Sequence, residues 1–129
     1  MDREQVHETI NQFVEAYHAE PQARERLTDF MTTNERPLEP DQFPNLVAFL
    51  NFHDERRRYD DTLLSLRREV ANLEVAHKDA EQELLRILPP NRPLYYDYEG
   101  ERQDLTGMQF KIVNQHRTIM ISPSGQPSQ

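Results

Sequence analysis

One short pattern in this 129-residue chain has the chemistry of a metal site: Glu-x-x-His occurs as Glu15 to His18 and as Glu74 to His77, the two pairs weighed here, and also at the N-terminus as Glu4 to His7. Residues three apart share a helix face, so each pair can offer a carboxylate and an imidazole to one ion. Helical di-metal carboxylate proteins use two such pairs, with one more Glu from each of two further helices. Those further helices are missing from the pattern. With 14 Glu and 5 His in the chain, chance alone supplies about half a match, so the pairs carry little weight. His77 also falls on the apolar seam of a long helix, where a polar residue fixes register, and that structural role is preferred. His53 and His116 have no Glu at that spacing, and His7 has only Glu4; all three read as surface residues. No metal and no other cofactor is expected.

Other chemistry has less support. The chain has no Cys, no Gly-x-Ser-x-Gly, no phosphate-binding Gly loop and no His-Glu-x-x-His, and it holds only 3 Gly. Without thiols there are no disulfides or thiolate sites. Tyr95, Tyr96 and Tyr98, with Arg92 and Arg102 near them, have the means to stack bases, and Arg56, Arg57 and Arg58 the means to meet phosphate. A formal charge of −8 and a pI near 5.1 weigh against nucleic acid, which is bound through net positive fields. The arginines read better as a solvated face, Asp54 preceding Arg58 by four residues, and the tyrosines as packing residues in a β segment.

The element that organises the rest runs from Asn45 to Leu88, a stretch with neither Gly nor Pro. As one helix it is about 65 Å long at 1.5 Å per residue. Phe49, Phe52, Arg56, Tyr59, Leu63, Leu66, Val70, Leu73, His77, Ala80, Leu84 and Ile87 alternate spacings of three and four, the a and d positions of a coiled-coil heptad. Leu63, Leu66, Val70, Leu73, His77, Leu84 and Ile87 are the expected oligomer seam. Arg56 and His77 occupy a positions. A second line, Leu50, Leu64, Ala71 and Leu85, lies about 100° round the helix. More than one neighbouring helix is therefore expected. Orientation stays open, because a parallel pair would oppose Glu69 and Glu74, and an antiparallel or intramolecular partner on the seam avoids that contact.

Ahead of it, Asp2 and Gln5 form a capping box for a first helix with Val6, Ile10, Phe13, Val14 and Tyr17 on one face. Glu20-Pro21 is expected to restart the chain into a short second helix, with Ala23, Leu27, Phe30 and Met31 on its buried side. Pro37, Pro40 and Pro44 mark a connector from Asn34. The two N-terminal helices should then cover Leu46, Val47, Phe49, Leu50 and Phe52. Pro89-Pro90 ends the long helix. Beyond it the period falls to two, giving a hairpin of strands 108–113 and 117–122 turning at Asn114 to His116, with 94–98 as a third strand.

The fold class is mainly α with a small C-terminal β element. Residues 1–55 form a helical head, 56–90 a coiled-coil-like continuation, 91–122 a hairpin or meander, and 123–129 a disordered tail. No window approaches the roughly 18 apolar residues of a membrane span, and the polar N-terminus lacks a secretory h-region, so a soluble cytoplasmic protein is expected. The leading function is a non-enzymatic oligomerisation and protein-interaction module, a homo-oligomer that presents Tyr95, Tyr96, Tyr98, Phe110, Ile112, Ile119 and Ile121 to a protein partner. The rivals are a metal-dependent helical-bundle enzyme using Glu15, His18, Glu74 and His77, and a nucleic-acid-associated accessory factor.

Overall fold

In a computed structural model of the chain, which describes residues 3–124, Asn45 opens the long helix by accepting the backbone N–H of Ala48 on Oδ1 at 2.8 Å. That satisfies one of the four free donors of the first turn. The helix, α2, spans Leu46–Ile87, within one residue of the sequence expectation at each end. Leu88 N still bonds Leu84 O at 2.8 Å, and Pro89 then closes the ladder.

The other helix, α1, runs unbroken from Arg3 to Thr33 with Pro21 inside it, so the expected restart at Glu20-Pro21 does not occur. A proline within a helix costs about 3 kcal/mol. Apolar side chains inside α1 on both sides of Pro21 offset that cost: Ile10, Phe13, Val14 and Ala16 before it, and Ala23 after it. The cap assigned to Asp2 lies outside the described residues.

The three strands, β1 (Leu94–Asp97), β2 (Gln109–Gln115) and β3 (Thr118–Pro123), form an antiparallel meander in the order β1-β2-β3. Tyr96 pairs with Phe110, and Ile112 with Ile121. The hairpin turn is His116-Arg117, one position later than expected, closed by the pair Gln115 and Thr118. Both turn residues have positive φ, 53° and 60°. That is the conformation of a two-residue type I′ turn, usually occupied by Asn-Gly. Pro123 belongs to β3 rather than to a tail, and Ser124 N just past it donates to Gln109 O at 2.9 Å. The rest of the expected tail, 125–129, is not among the described residues.

Contacts divide the chain into two units, at other places than residues 55 and 90. The first contains the chain up to Ala19 together with everything from Leu73 onward; the second is Glu20–Asn72. In the first, β2 alternates, with Phe110, Ile112 and Asn114 buried. Phe110 and Ile112 join Ile10, Phe13, Val14, Ala80, Leu84 and Ile119 in one core. Asn114, the one buried polar residue besides among the described residues, donates from Nδ2 to Leu88 O at 3.1 Å and accepts Asn91 N on its carbonyl at 2.8 Å. It thereby satisfies the backbone on either side of Pro89-Pro90.

In the second unit α1 runs antiparallel to α2. The Phe30 ring lies 5.0 Å from that of Tyr59, and Arg26 pairs with Glu69. Arg36 grips Asp60 with two bonds of 3.0 Å. Phe43 of the connector packs on Phe49 and Phe52 at 5.2 and 5.5 Å. The cover expected for the start of α2 is incomplete, because Leu46, Val47, Phe49 and Leu50 remain exposed.

Two outcomes follow. Pro21→Ala restores a helix donor and should stabilise the chain by about 1 to 3 kcal/mol, read as a higher urea midpoint. Exchanging His116-Arg117 for Asn-Gly removes left-handed strain from two side-chain-bearing residues and should add about 1 to 2 kcal/mol in the same assay.

Candidate functional site

The densest polar cluster in the first unit lies where the loop after β1 crosses α1. Asn11 and Glu15 stand one turn apart on α1, and Asn11 Nδ2 donates to Glu15 Oε1 at 3.2 Å. The Tyr96 hydroxyl donates to Asn11 Oδ1 at 2.7 Å, and the Tyr98 hydroxyl to Glu15 Oε1 at 2.8 Å. The alternation of β1 sends Tyr96 inward and leaves Tyr95 outside, and Tyr98, one residue past the strand, is buried on the same side as Tyr96. The Tyr98 oxygen also accepts Arg102 N at 2.8 Å, so the loop closes over it. The Arg102 guanidinium reaches the Glu15 carbonyl at 3.3 Å and holds Asp104 through bonds of 3.0 and 2.8 Å.

Gly100 sits at the closest point of this crossing. A Cβ there would lie well inside the van der Waals radii of Glu15 Oε1 and the Tyr98 hydroxyl. Its role is close approach rather than a special φ, and any side chain would lift the loop. Burial pushes the Tyr98 phenol above its ordinary value, an effect that its bond to Glu15 adds to and Arg102 N opposes. Tyr96 is also raised, first by burial. Both phenols are held neutral. Tyr98 has committed its proton to Glu15 and its oxygen to Arg102 N, so the cluster works as a clasp.

Beside the clasp a cleft of about 590 Å³ runs between the helices, with Ala16, Ala19, Ala76 and Ala80 among its lining and Glu15, Asp79, Glu83 and Arg102 at its polar margin. The alanines make the groove, because small side chains leave space between helices that larger ones fill.

The Glu-x-x-His residues do not converge. Glu15 belongs to the clasp. His18 bonds the Val14 carbonyl at 2.9 Å and lies 5.2 Å from the Phe110 ring. His77 sits between Phe13 and Tyr17 at 5.2 and 5.9 Å, with Glu81 at 3.8 Å from Nε2, while Glu74 is exposed. Among the described residues no three His, Asp or Glu side chains are grouped to hold an ion.

The surface expected to meet a partner is mostly interior. Tyr96, Tyr98, Phe110, Ile112 and Ile119 are core residues and Ile121 packs against them, so only Tyr95 is well exposed. The sheet folds back and covers its apolar face within the chain. The expected oligomer seam is likewise occupied internally. Val70 and Leu84 are buried, and Leu63, Leu66, Leu73, His77 and Ile87 are partly covered. The connector turns α1 back along α2, and a tethered helix outcompetes a separate chain through its effective concentration. Arg56 lies 5.4 Å over the Phe52 ring and 4.0 Å from Glu39. The ion pairs of this region thus reach the connector rather than running from Asp54 to Arg58.

The clasp was missed in the sequence because its partners are distant in the chain. Its one local trace is the run Tyr98, Gly100, Arg102. No family model, curated protein or solved structure matches the chain, and no helix among the described residues is long and apolar enough to cross a membrane.

Tyr98→Phe strands the Arg102 N–H and should cost about 1 to 3 kcal/mol. Gly100→Ala should cost a similar amount, since the loop must lift. With folded-state phenol values raised, the native chain keeps protons that the unfolded chain releases, so stability should fall as pH climbs past about 10. Urea midpoints at pH 8 and 10.5 should show a smaller alkaline loss for Tyr98→Phe than for the parent.

Proposed function

We propose that this chain is a non-enzymatic oligomerisation and protein-interaction module acting in the cytoplasm, with homo-oligomerisation as its first activity. The observation that carries the proposal is the contrast between the two units. The first spends its aromatic and polar groups on its own core and clasp. Between Glu20 and Asn72, by contrast, only Ala23 and Val70 are fully buried, while Met31, Leu38, Leu46, Val47, Phe49, Leu50 and Leu64 are exposed.

A pair of helices forms a single layer, and a helical core needs a second layer packed on it. Contiguous exposed apolar groups on a protein surface mark interaction sites. The polar groups that an enzyme reading would recruit are engaged elsewhere: Glu15 with Tyr98, and His18 with Val14 and Phe110.

Sedimentation equilibrium of the full chain tests this. A mass rising above the 15.4 kDa of one chain across the micromolar range is expected. A mass that stays at one chain up to high micromolar concentration would overturn the proposal.

A further inference from the structure

Within Leu46–Asn72 three exposed leucines of α2, Leu46, Leu50 and Leu64, fall on one line with Arg57, while exposed Val47 and Phe49 lie to either side of it. Leu46, Leu50, Arg57 and Leu64 are spaced by four, seven and seven residues, which at about 100° per residue keeps them on one side of the helix. That line lies about 100° round from the stripe that faces α1. Two contact stripes at such an angle suit a helix with two neighbours in a four-helix bundle. The first neighbour is α1, and the second place is open.

We propose that a second copy of this chain fills it, its α2 antiparallel to the first across a twofold axis at Arg57, so that Leu50 of each copy packs on Leu64 of the other. The inference rests on the oligomerisation reading and names its surface. Three features favour this occupant over another protein's helix.

The first is symmetry. Leu50 and Leu64 each stand seven residues, about 10.5 Å of helix rise, from Arg57, and only an antiparallel self-pairing sets these two unlike positions against each other twice. The second is charge. Asp54, Arg57 and Asp61 are all exposed and join no ion pair among the described residues. Around an axis at Arg57, each guanidinium falls between Asp54 and Asp61 of the opposite copy, one turn to either side, which offsets the approach of the two arginines.

The third is area. On the line, Leu46, Leu50 and Leu64 are 68%, 50% and 47% exposed, and Val47 at its flank is 65% exposed. They present on the order of 400 Å² of apolar surface per copy. With the stems of Arg57 and Arg68, two copies would bury on the order of 1,200 Å², where specific interfaces begin.

The chain has no cysteine, so single cysteines introduced into the full-length protein report without background. With a short bismaleimide, Arg57→Cys alone should crosslink to itself, and a mixture of Leu50→Cys and Leu64→Cys should crosslink several-fold more than either variant alone. Leu50→Asp with Leu64→Asp should raise the dimer dissociation constant at least about a hundredfold. Both residues are half exposed, so the circular dichroism of that variant should match the parent's.

A chain that dimerises but crosslinks best as Leu50→Cys with itself, or keeps its mass in the double Asp variant, overturns this geometry and leaves the oligomerisation reading standing. A monomeric mass at every concentration overturns both.

Discussion

A three-stranded sheet with one apolar face cannot remain uncovered in water, and the covering of Phe110, Ile112 and Ile119 is the constraint on which the first unit depends. The cover comes from residues far apart in the chain, Ile10, Phe13 and Val14 of α1 and Ala80 and Leu84 of α2. Each large side chain fully buried in this way is worth about 1.5 to 3 kcal/mol. That is enough to draw both helix segments onto the strands. Asn114 then becomes necessary: once the sheet is seated beside the end of α2, the backbone around Pro89-Pro90 leaves polar groups that water no longer reaches. Its side-chain amide and main-chain carbonyl supply their partners.

The clasp at Glu15 and Tyr98 follows from the same seating. Tyr96 in β1 and Tyr98 just past it are both buried, and a phenol buried without a partner would cost more than it contributes. Both hydroxyls therefore find acceptors on one face of α1, and the loop through Gly100 closes tightly enough for Arg102 to donate its backbone N–H to Tyr98. These groups have the types expected of an active site, and here they hydrogen-bond one another and hold the loop.

The unit from Glu20 to Asn72 is held by weaker terms: ring contacts of Phe43 with Phe49 and Phe52 and of Phe30 with Tyr59, and ion pairs at exposed sites. Exposed ion pairs contribute at most about 1 kcal/mol each. Arg56 even keeps its Nε buried without a hydrogen-bond partner. This region also leaves Leu46, Leu50 and Leu64 exposed on its outer side, unlike the well-packed first unit.

The extents of α2 and of the strands were legible in the sequence, because local chemistry decides them. Asn45 caps the helix, an unbroken run free of Gly and Pro sustains it, Pro89-Pro90 stops it, and alternation of apolar residues marks β2 and β3. The heptad stripe was legible too, as a face that must be covered. What covers it was decided by tertiary structure, since α1 and a second chain satisfy the same periodicity and only the fold-back of the connector selects α1. The passage of α1 through Pro21 was decided there as well, since burial beyond the local sequence outweighs the lost hydrogen bond. So was the pairing of Tyr98 with Glu15, 83 residues apart. A pattern can show that a carboxylate and a phenol are present at those positions. Only the packing of the sheet on α1 brings the two within hydrogen-bond distance.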